Sequence, residues 1–259
     1  MESTLEELRW SLRDHVALIT LNRPEKLNAV TSAMSAELTR MADWCNEADE
    51  VRAVVLTGSG DRAFCAGSDI RELDTYATPW DFRNRSDYCD SLRRLRKPVI
   101  AAVNGLALGG GLETALACDI RIASRTARFG APEIKLGWIG GGGVSALLRA
   151  SVGASNAALM LLTGDPVDAA TAERRLLVSE VTEPEDLLDR AMEIATTIAA
   201  RAPIAAETAK TNLKAAASVP LDQALAYERD LQTVCFATED AAEGRAAFRE
   251  KRTPTFHRR

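Results

Sequence analysis

Only two histidines and five cysteines occur among the 259 residues. His15 sits in Arg13-Asp14-His15, the composition of a hairpin turn, and His257 lies near the C-terminal end. Neither is placed for a nucleophile–histidine pair, and a His-rich metal site is excluded. Cys45, Cys65, Cys89, Cys118 and Cys235 are odd in number and nowhere spaced as Cys-x-x-Cys. Free thiols, buried or half-buried, are expected rather than a disulfide framework or a zinc site. No apolar run is long enough to span a bilayer. The net charge of -5 lacks the basic excess that a nucleic-acid partner requires. The segment Met1-Glu2-Ser3-Thr4-Leu5-Glu6-Glu7 lacks the basic character of a secretory or organellar signal. A cytoplasmic protein without membrane or nucleic-acid partners is the expectation. Its chemistry must rest on carboxylates and backbone.

What is present is ordinary for a globular chain, with 46% hydrophobic and 27% charged residues. The length suits one α/β unit with a helical appendage. Short β-branched runs predict strands over 16–21, 51–57, 99–103 and 120–123. Helical spacing between them covers 32–46, 88–95 and 112–118. Near-continuous apolar strands alternating with helices point to a parallel-rich α/β core. Proline or glycine marks the boundaries, as in Arg23-Pro24, Thr57-Gly58 and Lys97-Pro98. The polar and aromatic stretch 71–87 has no clear period and reads as a mobile loop or irregular helix bordering a pocket. After about Glu183 the strand signal stops. Thr182-Glu183-Pro184-Glu185 resembles a helix start, and helical runs follow over 187–201, 204–217, 221–236 and 241–252.

Gly58-Ser59-Gly60-Asp61-Arg62-Ala63 nominally matches a dinucleotide fingerprint, but Phe64-Cys65-Ala66-Gly67 offers no helix start. A turn is the better reading. P-loop and nucleophile-elbow motifs are absent.

The informative run is Leu108-Gly109-Gly110-Gly111-Leu112-Glu113, followed by Ala131-Pro132-Glu133. Three glycines opening an apolar segment let backbone N–H groups approach a bound anion. Donors for a developing oxyanion beside two carboxylates equip a site to add or remove a proton next to a carbonyl. Water must lose a proton as it attacks a β-carbon while the α-carbon gains one. One ionised and one neutral carboxyl can do both. On spacing alone, surface or capping roles for both glutamates remain open, and which one is charged is not readable.

Asn22-Arg23-Pro24-Glu25-Lys26-Leu27-Asn28-Ala29, Phe64-Cys65-Ala66-Gly67-Ser68-Asp69-Ile70 and Lys97-Pro98-Val99-Ile100-Ala101-Ala102-Val103-Asn104-Gly105 occur in that order. Phe129-Gly130-Ala131-Pro132-Glu133-Ile134-Lys135-Leu136-Gly137 and the tail segments 236–240 and 248–252 follow. Together with the glycine run they resemble the crotonase (enoyl-CoA hydratase/isomerase) superfamily over nearly the whole chain. The resemblance implies an α/β spiral of repeated ββα turns over 1–190 that carries the active site. A helical region over 191–259 would make trimer contacts, with two trimers pairing as a hexamer.

It also implies hydration of a 2-trans-enoyl-CoA to a 3-hydroxyacyl-CoA, with Glu113 and Glu133 holding the water. The backbone N–H groups of Ser68 and Gly110 would form the oxyanion hole. Coenzyme A, part of the substrate, would run along Lys26, Leu27, Ala66 and the segment Ser68, Asp69, Ile70, Arg71. Lys26 and Arg71 would meet phosphates unless they are merely solvated charges, and Lys251 of a neighbouring subunit would reach the nucleotide end. No metal or redox cofactor is implied, because the thioester enolate is the electron sink. The alternatives are a carnitinyl-CoA-type dehydratase or isomerase, and a silent CoA- or RNA-binding scaffold. Retention of both glutamates favours hydration.

Two departures stand out. Where hydratases of this family often carry Ile-Pro-Gly-Ala-Gly-Gly, this chain has Ile139-Gly140-Gly141-Gly142-Gly143 after Trp138. Trp138 is expected to wall the acyl pocket, the alternative being simple core packing. Leu176 stands where the family usually has glycine at a helix end with φ > 0. Either that helix ends differently here or the strain is tolerated.

Overall fold

A computed structural model describes residues 4–259. The chain opens with a hairpin of β1 (Leu8–Arg13) and β2 (Val16–Leu21), turned by Asp14 (φ 50°) and His15 (φ 66°). Both turn residues are left-handed, as a tight two-residue hairpin requires. Three strand pairs follow. They are β3 (Ala53–Gly58) and β4 (Ala63–Cys65), β5 (Val99–Val103) and β6 (Leu106–Leu108), and β7 (Ile120–Ser124) and β8 (Arg128–Gly130). Each pair gives its first strand to one sheet and its second to another, which builds the spiral. With β9 (Val167–Asp168) and β10 (Glu180–Thr182), the sheets run β1-β2-β3-β5-β7-β10 and β4-β6-β8-β9. Pairing is parallel except for the opening hairpin and β8 with β9.

The large sheet is covered on both faces, which is why its strands read as continuous apolar runs. Along β3, Val54 and Leu56 face a core with Met34, Leu38 and Met41 of helix Ser32–Glu47. Val55 joins Ile100 and Ala102 of β5 against Leu187, Ala191, Ala195 and Ala199 of helix Leu187–Ala199. That helix crosses residue 190 and fastens the helical tail to the sheet. A buried ionic cluster adds to the anchorage: Lys97, fully buried, meets Glu207 at 2.8 Å, and Lys210 meets Asp119 at 2.7 Å.

All four strands expected from composition exist, shifted by at most two residues at an end, and all lie in the large sheet. The three-residue strands of the small sheet were missed because so short a run shows no period. Segment 59–62 is the turn between β3 and β4, with Gly58 the last residue of β3. Stretch 71–87 holds two short helices, Ile70–Leu73 and Pro79–Arg83, separated by irregular chain.

The expected helix start at Thr182 is corrected. Thr182 is the last residue of β10, paired with Ser124, and the helix begins at Leu187 without a side-chain cap. Leu176 does adopt φ 62°, just beyond helix Ala169–Arg174. There Leu177 N–H donates to Ala172 O at 2.8 Å, the closing bond of a left-handed helix end. The helix thus ends in the left-handed turn expected there for glycine, with leucine carrying the strain.

Four cysteines are buried and free, and Cys235 is half-buried and free. Among the described residues no His/Cys/Asp/Glu group is arranged to hold a metal, and no helix is long and apolar enough to cross a membrane.

Candidate active site

The second strands of the spiral turns end side by side, and their C-terminal ends deliver the functional groups. After β4, the chain at Gly67–Asp69 runs beside Val30. Val30 N–H donates to Gly67 O (2.8 Å) and Asp69 N–H donates to Val30 O (2.9 Å). This ladder uses the groups flanking Ser68 and turns the Ser68 N–H the other way. After β6, Gly109 breaks the chain direction at φ 56°, and helix Gly110–Ala117 begins. Gly110 N is then a first-turn donor, which no helical carbonyl can satisfy. Among the described residues, neither Ser68 N–H nor Gly110 N–H donates to a protein group. Gly110 N–H stands at the start of a buried helix, where unpaired donors and the helix dipole suit an anion, and Ser68 N–H lines the same cavity.

The glycines in this region prevent collisions. A methyl group at Gly67 would stand 3.0 Å from Gly110 N and cover that donor. One at Gly111 would strike Cys65 O at 1.8 Å, because the helix lies directly on β4.

Glu113 and Glu133, both buried, face the same cavity as Ser68 and Gly110. Glu113 sits one turn into the helix, and its Oε1 accepts N–H bonds from Gly142 (2.7 Å) and Val144 (3.2 Å). The glycine run 140–143 thus supplies the clamp on Glu113 and brings backbone where side chains would not fit. Glu133 comes from the 3-10 segment Pro132–Leu136 after β8, and its Oε2 is buried without a hydrogen-bond partner among the described residues.

Burial raises the Glu113 carboxyl above its ordinary value. The two N–H donors pull it down, and the Glu133 and Asp87 charges push it further up. Burial likewise raises Glu133, opposed by its own backbone N–H. Burial is the leading cause at both carboxyls.

Ala66, Ile70 and Trp138 also line this cavity. Trp138 is 41% exposed and therefore is not a core residue. Lys26, Leu27, Asp69 and Arg71 lie outside the lining. Lys26 and Arg71 are exposed, and Asp69 is engaged by Arg23 at 3.2 Å and by capping Arg71 N–H. Lys251 is also exposed, at a left-handed helix end with φ 54°.

Several lining residues were not singled out from sequence, among them Phe82, Arg85, Asp87 and Tyr88. Tyr88 OH stands 3.2 Å from Ser68 Oγ, and a methyl at Gly110 would collide with it at 2.0 Å. The aperiodic polar-aromatic stretch 71–87 was the available signal, and most of these residues fall inside it.

A family model described as enoyl-CoA hydratase/isomerase matches residues 12–259. The chain belongs to the enoyl-CoA hydratase/isomerase family. It is a crotonase-superfamily enzyme, and its relatives in this family match it from end to end. A probable enoyl-CoA hydratase of Mycobacterium bovis is 43% identical over 258 residues, covering 99% of this chain and 100% of the relative. The 2,3-dehydroadipyl-CoA hydratase of Escherichia coli K12 is 41% identical over 256 residues, covering 97% and 99%. Among solved structures, an enoyl-CoA hydratase from Bacillus anthracis superposes with a TM-score of 0.94 at 35% identity, covering 98% of this chain and all of that one.

Proposed function

We propose that the protein is an enoyl-CoA hydratase that adds water reversibly to a 2-trans-enoyl-CoA. The observation that carries this reading is the convergence on one cavity of two unpaired backbone donors and two buried carboxylates. In the proposed reaction Ser68 N–H and Gly110 N–H hold the thioester oxygen and strengthen their bonds as it becomes an enolate. The paired N–H bonds on Glu113 Oε1 favour its ionised form, so Glu113 takes the proton from water attacking the β-carbon. Glu133, with fewer donors on its carboxyl, is the neutral partner that protonates the α-carbon. Each hydration leaves the proton on Glu113 and the charge on Glu133, and a proton passing from Glu113 to Glu133, directly or through water, resets the pair for the next turnover. No metal or redox cofactor takes part in these steps.

Coenzyme A is placed along Ala66 and Ile70 at the cavity, with Lys26, Leu27, Asp69 and Arg71 on its outer path and Trp138 walling the acyl side. Residues 1–190 are assigned the chemistry and 191–259 the contacts between subunits of a cytoplasmic trimer or pair of trimers. Exposed apolar groups support that assembly: helix Leu221–Phe236 buries no residue, and Phe248 is 85% exposed. The names of the relatives leave the acyl group open, since one specifies dehydroadipyl-CoA and the other only enoyl-CoA.

The test is loss of enoyl-thioester absorbance with crotonyl-CoA, together with detection of 3-hydroxybutyryl-CoA. Binding of acyl-CoA without turnover would establish a silent scaffold instead.

A further inference from the structure

Segment 84–87 places a guanidinium in the cavity that holds the two glutamates. Arg85 lines it with a side chain only 21% exposed. Its position is fixed: the guanidinium lies 4.2 Å over the Phe82 ring, Nη1 donates to Phe82 O at 2.9 Å, and Nη2 donates to Asp87 Oδ2 at 3.3 Å. Asp87 is itself held as a helix cap, with Oδ1 accepting Cys89 N–H at 2.8 Å. The contact to Asp87 is long and single, and most of the five donors of the fork remain available. A half-buried, pre-positioned guanidinium with free donors is the arrangement that recognises a carboxylate.

Its place relative to the chemistry follows from contacts along the glycine run. A methyl at Gly109, next to the Gly110 donor, would touch Glu133 Oε1 at 3.0 Å. One at Gly140 would touch both Glu113 Oε1 and Glu133 Oε1. One at the next residue, Gly141, would touch Arg85 Nη2 at 3.3 Å. The order is therefore oxyanion donor, carboxylate pair, guanidinium. Arg85 thus borders the residue next to the glycine that faces the carboxylate pair. A substrate with its thioester oxygen at the donors and its β-carbon between the carboxylates would extend toward Arg85.

Resting on the enoyl-CoA reading above, we propose that the preferred substrate is an enoyl-CoA whose acyl chain ends in a carboxylate bound by Arg85. The four-glycine run keeps this path open, since any side chain at Gly141 would meet the guanidinium.

The experiment compares kcat/KM for two six-carbon thioesters, trans-2-hexenoyl-CoA and its ω-carboxy counterpart, in the parent protein and in Arg85→Met and Arg85→Lys. The parent should favour the carboxylate substrate by at least about 10-fold. Arg85→Met should lower that preference by about 10- to 100-fold, the worth of a charged hydrogen-bonded contact. Arg85→Lys should restore part of it. The ratio is insensitive to a misfolded fraction, which lowers both rates alike. Hydration of hexenoyl-CoA with no preference in the parent, or an equal loss on both substrates in Arg85→Met, overturns the proposal. The equal loss would assign Arg85 to a part common to all CoA esters. Hydration of neither thioester overturns the enoyl-CoA reading itself.

Discussion

Glu113 Oε1 and Glu133 Oε1 close on one point in space: a methyl group at Gly140 would stand 2.7 Å from the first and 3.3 Å from the second. The two carboxylates come from different spiral turns, one on a helix after β6 and one on the turn after β8. The absence of a Cβ at residue 140 keeps the space beside both carboxylates open.

Gly140→Ala should therefore abolish most turnover by displacing the Glu113 carboxylate while the fold is kept. The added methyl would also press on Val144 Cγ1 at 2.6 Å, a flexible side-chain end. A displacement of this size at the reacting centre slows a reaction by about 100-fold. Steady-state hydration of crotonyl-CoA by a variant with unchanged circular dichroism checks it.

Glu113→Gln and Glu133→Gln should each reduce hydration by about 10²–10⁴-fold, the range for removing a positioned acid or base. The double variant should be little worse than the poorer single one, because the pair works as a unit. Near-normal turnover in either single variant removes the two-carboxylate mechanism.

Stability should depend on pH through Glu113. Its carboxyl is raised above 4.5 in the folded protein, chiefly by burial. Between 4.5 and that raised value the folded state binds more protons than the unfolded state, so stability falls as pH rises through the window. Glu113→Gln keeps the acceptor for Gly142 and Val144 N–H and cannot ionise. Thermal melts at pH 4 to 8 should show the variant gaining on the parent as pH rises, with no advantage below about 4.5, the unfolded value. A constant offset at all pH values would contradict the assignment.

The oxyanion donors are backbone groups, so side-chain removal and donor removal should differ. Ser68→Ala loses only the Oγ contact to Tyr88 OH and should stay within a few-fold of parent turnover. An amide-to-ester replacement that deletes the Gly110 N–H should slow turnover by about 10²–10³-fold. Equal damage from both changes would make the hydroxyl the working group.

Leu176→Gly should stabilise the protein. The residue is 76% exposed and held at φ 62°, so little packing is lost while a left-handed strain of about 1–2 kcal/mol is relieved. The larger backbone entropy of glycine offsets about 0.5–1 kcal/mol of that. A gain of about 0.5–1 kcal/mol in denaturant unfolding is expected.

The sequence by itself determined the covered parallel sheet, because β3 is apolar from Ala53 to Leu56 and β5 throughout, and only a strand buried on both faces needs that. It also marked Glu113, Glu133, Ser68 and Gly110, whose motifs are local runs of chain. Tertiary structure decided the rest. The strands of the small sheet are too short to carry a period, and their pairing exists only because each spiral turn lays one beside the last. Arg85 and Tyr88 sit in or beside an aperiodic stretch, and nothing in their neighbours tells that they reach Gly141 and Ser68. Thr182 has the composition of a helix cap and is the end of β10, since pairing with Ser124 of β7 holds its backbone extended. Local motifs name groups that act through their own backbone or neighbouring chain. Groups brought together from distant turns are decided by packing, which no single segment encodes.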